Sequence, residues 1–230
     1  PSDQWIGNSY NIKPEIADQI SVGYVTKVFK NNFEFTTEAY YKNLQNQIDY
    51  KDGAEINTVS DVESVLLYGI GRAYGLEFLL KKKEGRLTGW IGYTLSKTER
   101  KIEGINGNNW YNARQDRTHD ISVVGIYDLN DRWSLSGVFV YNTGDAVTYP
   151  TGKYNLQGQT LYQYAARNEN RMPAYHRLDF SATYEKNKTK RMHGSWNFSL
   201  YNVYGRENAF RISFKDDPND PTRTQIIRTA

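Results

Sequence analysis

The residues best equipped for chemistry in this chain are few and scattered. Gly69-Ile70-Gly71-Arg72-Ala73-Tyr74-Gly75 comes close to a dinucleotide-binding loop, but it carries one residue too many before the third Gly. The residues that follow it alternate as a strand, whereas a pyrophosphate needs the N-terminus of a helix. No cofactor is therefore expected. Asp216-Asp217-Pro218-Asn219-Asp220 concentrates carboxylates as a calcium loop does, yet it lacks the spacing and the distal Glu that wrap the ion. A solvated loop is the simpler reading. The three histidines, His119, His176 and His193, stand far apart, and none has a partner at metal-ligand spacing. There is no Cys, hence no thiolate metal site, thiol nucleophile or disulfide framework, and the redox compartment stays open. No Ser nucleophile motif occurs, and Glu77 and Asp179 could act as an acid–base pair only if the fold brought them together. The expectation is a protein without an enzymatic site.

What would position these residues is a sheet. Period-two alternation recurs in eight segments, roughly residues 19–28, 32–42, 72–82, 86–97, 118–128, 132–141, 177–185 and 194–201. Aromatic residues make up 14% of the chain, with 19 Tyr, 9 Phe and 5 Trp, and these favour strands. Hydrophobic residues are 38%, charged residues 24% and mean hydropathy is −0.76, so the chain cannot be a bundle of membrane helices. The balance of 29 Lys+Arg against 26 Asp+Glu leaves +3 without a basic cluster, which gives no support to a nucleic-acid groove. Pro1 follows no leader, so any signal peptide is expected upstream or already removed.

The links between segments alternate in length. Residues 29–31, 83–85 and 129–131 are tight turns and 186–193 is a modest one, whereas 43–71, 98–117 and 142–176 are long and polar. Short turns at one end and long loops at the other are the plan of an outer-membrane barrel. Ser60-Asp61-Val62-Glu63 reads as a capping box that starts one short helix inside the first long loop.

Facing residues support the same plan. One face carries Phe35, Phe78, Ile91, Val123, Leu135, Phe180 and Phe198 without a charge; the other carries Glu38, Glu77, Asp179 and Asn197. Amphipathic strands alone also suit a soluble sandwich. The aromatics favour the membrane: Phe33, Tyr127, Trp133, Tyr184 and Trp196 sit beside short turns, and Tyr41, Tyr74, Tyr93 and Tyr141 beside long loops. Rings with polar tips suit the two membrane–water interfaces. The eight steps from Trp133 to Tyr141 span roughly 20 Å in a tilted strand, close to the ~25 Å apolar band of such barrels.

Six stretches also carry a family likeness. They are Ile12-Lys13-Pro14-Glu15 leading into Gln19-Ile20-Ser21-Val22-Gly23-Tyr24; Glu38-Ala39-Tyr40-Tyr41-Lys42 with Asp49-Tyr50-Lys51-Asp52-Gly53-Ala54; Gly71-Arg72-Ala73-Tyr74-Gly75-Leu76-Glu77; Arg117-Thr118-His119-Asp120; Arg171-Met172-Pro173-Ala174-Tyr175-His176-Arg177-Leu178-Asp179; and Asn197-Phe198-Ser199-Leu200-Tyr201-Asn202-Val203-Tyr204. In this order they resemble the C-terminal barrel portion of TonB-dependent outer-membrane receptors, in the branch that often carries an N-terminal carboxypeptidase-regulatory-like domain. The resemblance implies an all-β antiparallel transmembrane barrel of about 22 strands around an N-terminal plug. It further implies the outer membrane of a Gram-negative type cell, a lipid bilayer as partner, and import of a scarce nutrient (siderophore, cobalamin, glycan or peptide) driven through TonB. Residues 1–230 supply eight or nine strands, with neither plug, TonB-contact segment nor terminal aromatic strand, so they are expected to form part of a longer receptor.

Two alternatives remain at this point, a self-contained eight-stranded outer-membrane barrel with a structural or enzymatic role and a soluble β-sandwich binding module. For the receptor, ligand must meet groups reachable from outside. The candidates are Trp110, Tyr111 and Arg114 in the second long loop and Tyr149, Tyr154, Tyr162 and Arg167 in the third, since aromatic and Arg side chains supply the most contact energy per residue.

Overall fold

A computed structural model of the chain describes residues 9, 12–29, 32–54, 62–157, 159–186, 194–217 and 220–230. The strands are β1 (Ile16–Val28), β2 (Phe33–Tyr50), β3 (Leu66–Lys82), β4 (Leu87–Ile102), β5 (Tyr111–Asn112), β6 (His119–Asp128), β7 (Trp133–Asn142), β8 (Ala146–Val147), β9 (Pro150–Leu156), β10 (Gln159–Tyr164), β11 (Asn170–Arg171), β12 (Tyr175–Lys186), β13 (Gly194–Leu200), β14 (Arg211–Asp217) and β15 (Asp220–Thr229). All eight expected segments are strands. They pair antiparallel in the order β1-β2-β3-β4-β6-β7-β12-β13, a meander without crossover, and β5 adds to β4. The sheet is open: no pairing joins β1 to β13 among the described residues.

Register fixes the faces. Phe35 lies opposite Leu80, Leu80 opposite Ile91, Ile91 opposite Val123, Val123 opposite Phe139 and Phe139 opposite Leu178, so one apolar row crosses six strands. Leu135, Ala182 and Phe198 continue the same face. A slip of one residue at any pair would turn that strand over. The opposite face hydrogen-bonds across itself: Arg177 donates to Asp179 at 3.0 Å, and Asn197 donates to Thr183 Oγ1 at 2.8 Å. That face is less uniformly polar than its sequence suggests, because Trp90, Val124 and Val138 share a rung with Asp179 in its middle.

Among the described residues, no second sheet packs against the apolar face. Val22 is 73% exposed, Trp196 66% and Phe198 60%, which removes the sandwich reading, since a sandwich would bury them. The aromatic rows stand where expected. Trp133 and Tyr184 meet at 5.0 Å at the short-turn end, and Tyr41 stacks on Tyr74 at 6.4 Å at the other. Tyr93 and Tyr141 occupy a rung four residues nearer the short turns along the strands than Tyr74, a stagger that strands tilted in a barrel wall require.

Two glycines have a structural necessity. Gly85 turns the chain between β3 and β4 at φ +92°, and Gly89 sits at φ +145°, where an added Cβ would fall 2.0 Å from the Val124 carbonyl. Gly89, Gly125 and Gly137 form one rung that runs into Phe180.

The long links are shorter and more ordered than the sequence suggests. β2 continues to Tyr50 and β3 begins at Leu66, leaving residues 51–65 as the first link rather than 43–71. A bulge at Leu44/Gln47, with Asn46 at φ +56° donating to the Pro14 carbonyl at 2.8 Å, precedes this extension. Beyond the aromatic row both strand faces meet water or loops, so alternation fades although pairing continues. The expected short helix is a single 3-10 turn, Val62–Val65, while Leu66 and Leu67 already belong to β3; Ser60 and Asp61 of the capping box lie outside the described residues. The turns at residues 30–31 and 187–193, and His193, also lie outside them. The second link contains β5 and a 3-10 turn, and the third folds as β8 paired with β11 and β9 paired with β10. Arg211–Asp217 and Asp220–Thr229, of which the sequence reading assigned only 216–220, as a solvated loop, pair with each other as β14 and β15.

The buried core lies among these loop-end elements. Ile102, Ile105 and Tyr111 cluster with Leu67 against them, and Asp116 is buried with its carboxylate held by Arg171.

Candidate ligand-binding site at the loop end

The loop-end elements line an open cavity of about 900 Å³. Its walls come from the segment after β5 (Arg114, Arg117), the β8–β9 region (Asp145, Tyr149), the segment between β10 and β12 (Arg167, Met172), and β14 (Arg211, Phe214). Volumes of this order suit small organic ligands. β14 belongs to this site because three contacts bring its hairpin onto β9–β10. Lys153 Nζ and Tyr162 Oη both donate to Asp216 Oδ1 at 2.8 Å, and the Tyr149 ring meets Phe214 edge-on at 5.2 Å. The Lys153 ammonium, then the Tyr162 hydroxyl, hold the Asp216 carboxyl below its usual range, and the same bond raises the Tyr162 phenol.

The structure separates the seven sequence candidates. Arg114, Tyr149 and Arg167 line the cavity. Tyr149 donates its hydroxyl to Met172 Sδ at 3.4 Å, and burial raises its phenol. Arg167 bridges Asp49 at 2.6 Å and Asp52 at 3.0 Å, tying the third loop to the end of β2. Tyr111 is only 4% exposed and donates to Asp49 Oδ2 at 2.8 Å; burial, then the neighbouring carboxylate, push its phenol well above the ordinary value. It is a fixed neutral donor in the core, out of a ligand's reach. The Trp110 ring lies 4.2 Å from the Arg72 guanidinium, a cation–π contact at the outer edge of β3. Tyr162 is engaged by Asp216, and Tyr154, paired with Leu161, is 55% exposed on the β9–β10 hairpin.

Arg117, Arg211 and Phe214 were missed. Arg117 falls at the end of the second long link, where the sequence marked it only as the first residue of Arg117-Thr118-His119-Asp120. Arg211 and Phe214 belong to a short alternation, Arg211-Ile212-Ser213-Phe214-Lys215, that could have signalled a strand. The remaining chemical candidates are accounted for. Glu77 and Asp179 lie on β3 and β12, four strand spacings or roughly 19 Å apart, so they form no dyad. His119 and His176 stand at the starts of β6 and β12, where loops rejoin the wall, each beside a tyrosine hydroxyl, Tyr93 at 2.9 Å and Tyr204 at 2.7 Å. Asp216 and Asp217 end β14 rather than occupying a solvated loop; Pro218 and Asn219 lie outside the described residues. Gly69, Gly71 and Gly75 are interior to β3, with Lys101, Glu99 and Leu95 carbonyls close against them, so they pack strand on strand and cradle no phosphate.

A family profile described as TonB dependent receptor-like, beta-barrel, matches residues 1–203. The chain belongs to that family. As a TonB-dependent receptor barrel it falls in a class of outer-membrane transport proteins that work with a plug and TonB, and not among enzymes. No curated protein matches it in sequence. Within the receptor barrel, the wall strands β1 to β13 carry most of the matched residues, and the cavity's β14 wall lies beyond them.

Proposed function

We propose that this chain forms part of the wall and loop end of an outer-membrane receptor that imports a scarce nutrient, with no catalysis of its own. The cavity at the loop end is then where its substrate first rests. The observation that carries this reading is the pairing of an exposed apolar face, bounded by two aromatic rows, with an open cavity beyond one of those rows. Ligand contact is assigned to Arg114, Tyr149 and Arg167, with Trp110, Tyr111, Tyr154 and Tyr162 supporting the loops around them. In the complete receptor, Tyr149→Ala should weaken substrate uptake by roughly tenfold, the ~1.4 kcal/mol of one modest anchor, while Trp110→Ala should leave affinity within about twofold. Unchanged uptake in Tyr149→Ala would move the site to the plug or to other strands.

The reading includes the rest of the receptor. β1 and β13 each lack a second neighbour among the described residues, and unpaired backbone is not tolerated in lipid. Residues 1–230 are accordingly assigned to one partial barrel domain of a larger wall, and the patch at Trp90, Val124 and Val138 to contact with the plug. Expression of residues 1–230 alone should give no monodisperse, heat-modifiable barrel. If it does, the self-contained barrel replaces this reading.

A further inference from the structure

We propose that the ligand of the loop-end cavity is an organic anion bearing at least two carboxylates or phosphates, and that Arg114 and Arg211 are its counter-charges. The inference rests on the cavity being the substrate site.

Charge around the cavity is unbalanced in a specific way. Four arginines line it, and two are neutralised within the fold: Arg117 by Asp145 at 3.2 Å, and Arg167 by Asp49 and Asp52. Arg114 and Arg211 have no ion-pair or hydrogen-bond partner for their guanidinium groups among the described residues, and both are exposed. They stand on different elements, one after β5 and one at the head of β14, so they approach the same space from separate walls. Two unpaired cations lining one concave space concentrate positive potential there, and a ligand with two negative groups relieves it. Guanidinium forks match carboxylate and phosphate in bidentate geometry, which an ammonium could not do.

The rest of the lining describes the ligand's body. Tyr149, Met172 and Phe214 give the cavity an apolar side that a bare inorganic ion would leave unfilled. Among the described residues a cationic ligand finds no free carboxylate in the lining, because Asp145, its acidic side chain, is taken by Arg117.

The test uses the complete receptor in detergent, with calorimetric titration of benzene-1,3,5-tricarboxylate, of pyrophosphate, and of uncharged 1,3,5-tris(hydroxymethyl)benzene. At least one anion should bind, the uncharged compound should not, and the double variant Arg114→Gln/Arg211→Gln should weaken anion binding tenfold or more. The double Lys variant should recover part of the loss, which separates charge from misfolding. The preferred anion identifies the group as carboxylate or phosphate. Binding of the uncharged compound as tight as the anions', anion binding unchanged in the Gln variant, or no anion binding at all would overturn the proposal. Uptake distinguishes this failure from failure of the cavity reading. If Tyr149→Ala impairs uptake and the Gln variant does not, the cavity stands and the anion falls; if neither impairs it, the cavity reading falls as well.

Discussion

Arg171→Ala is expected to destabilise the loop end by about 3–5 kcal/mol, the scale for removing one partner of a buried ion pair. The Asp116 side chain is fully buried, and Arg171 reaches both its carboxylate and its backbone carbonyl. The other carboxylate oxygen accepts from the Thr98 amide, so Asp116 joins β4 to the third loop. Without the guanidinium, a charge remains in a space that water does not reach. Hydrogen exchange at the Thr98 and Ala113 amides in the complete receptor would read the opening directly. Arg171→Ala combined with Asp116→Asn should recover much of the loss, because the stranded charge is then gone. A change under about 1 kcal/mol for the single variant would mean that the pair is solvated, as surface pairs are.

Phe180→Arg is expected to cost about 2–4 kcal/mol in lipid, the penalty for a cation at the bilayer midplane. Phe180 is midway along β12 between His176, level with Tyr141 of the outer row, and Tyr184 of the inner row. It is 43% exposed on the apolar face. Leu135, two residues from Trp133, lies near the inner row, and the same substitution there should cost only about 0–1 kcal/mol. Refolding titrations into vesicles with both variants measure depth as well as facing. Equal costs at the two positions would refute the depth assigned here, and no cost at either would refute the orientation.

The wall was legible because a membrane-facing strand obeys one rule along its length. Leu135, Gly137 and Phe139 alternate with Ser134, Ser136 and Val138, and the register follows. The loop end was not legible for the opposite reason. Residues 43–50 are strand although their side chains read as polar loop, because pairing outlasts the bilayer that imposes the alternation. The candidate site was partly legible by residue type: Arg114, Tyr149 and Arg167 reached the cavity, but Tyr111 has the same composition signal and serves the core. Which arginine is already paired depends on Asp49, Asp52 and Asp145, whose distances in sequence carry no hint of contact.

The placement of the buried core beyond the outer aromatic row has a thermodynamic consequence. The wall takes its stability from transfer of Val22, Phe198 and their neighbours into hydrocarbon, while Ile102, Ile105 and Tyr111 are driven together by water. One chain is thus folded by two solvents. Exchanging lipid for a shorter-chain detergent acts on the first part, and urea at constant lipid acts on the second before it reaches the first. Unfolding followed at loop-end amides and at wall tryptophans such as Trp133 and Trp196 should therefore give two midpoints rather than one, so a single melting temperature would describe neither part.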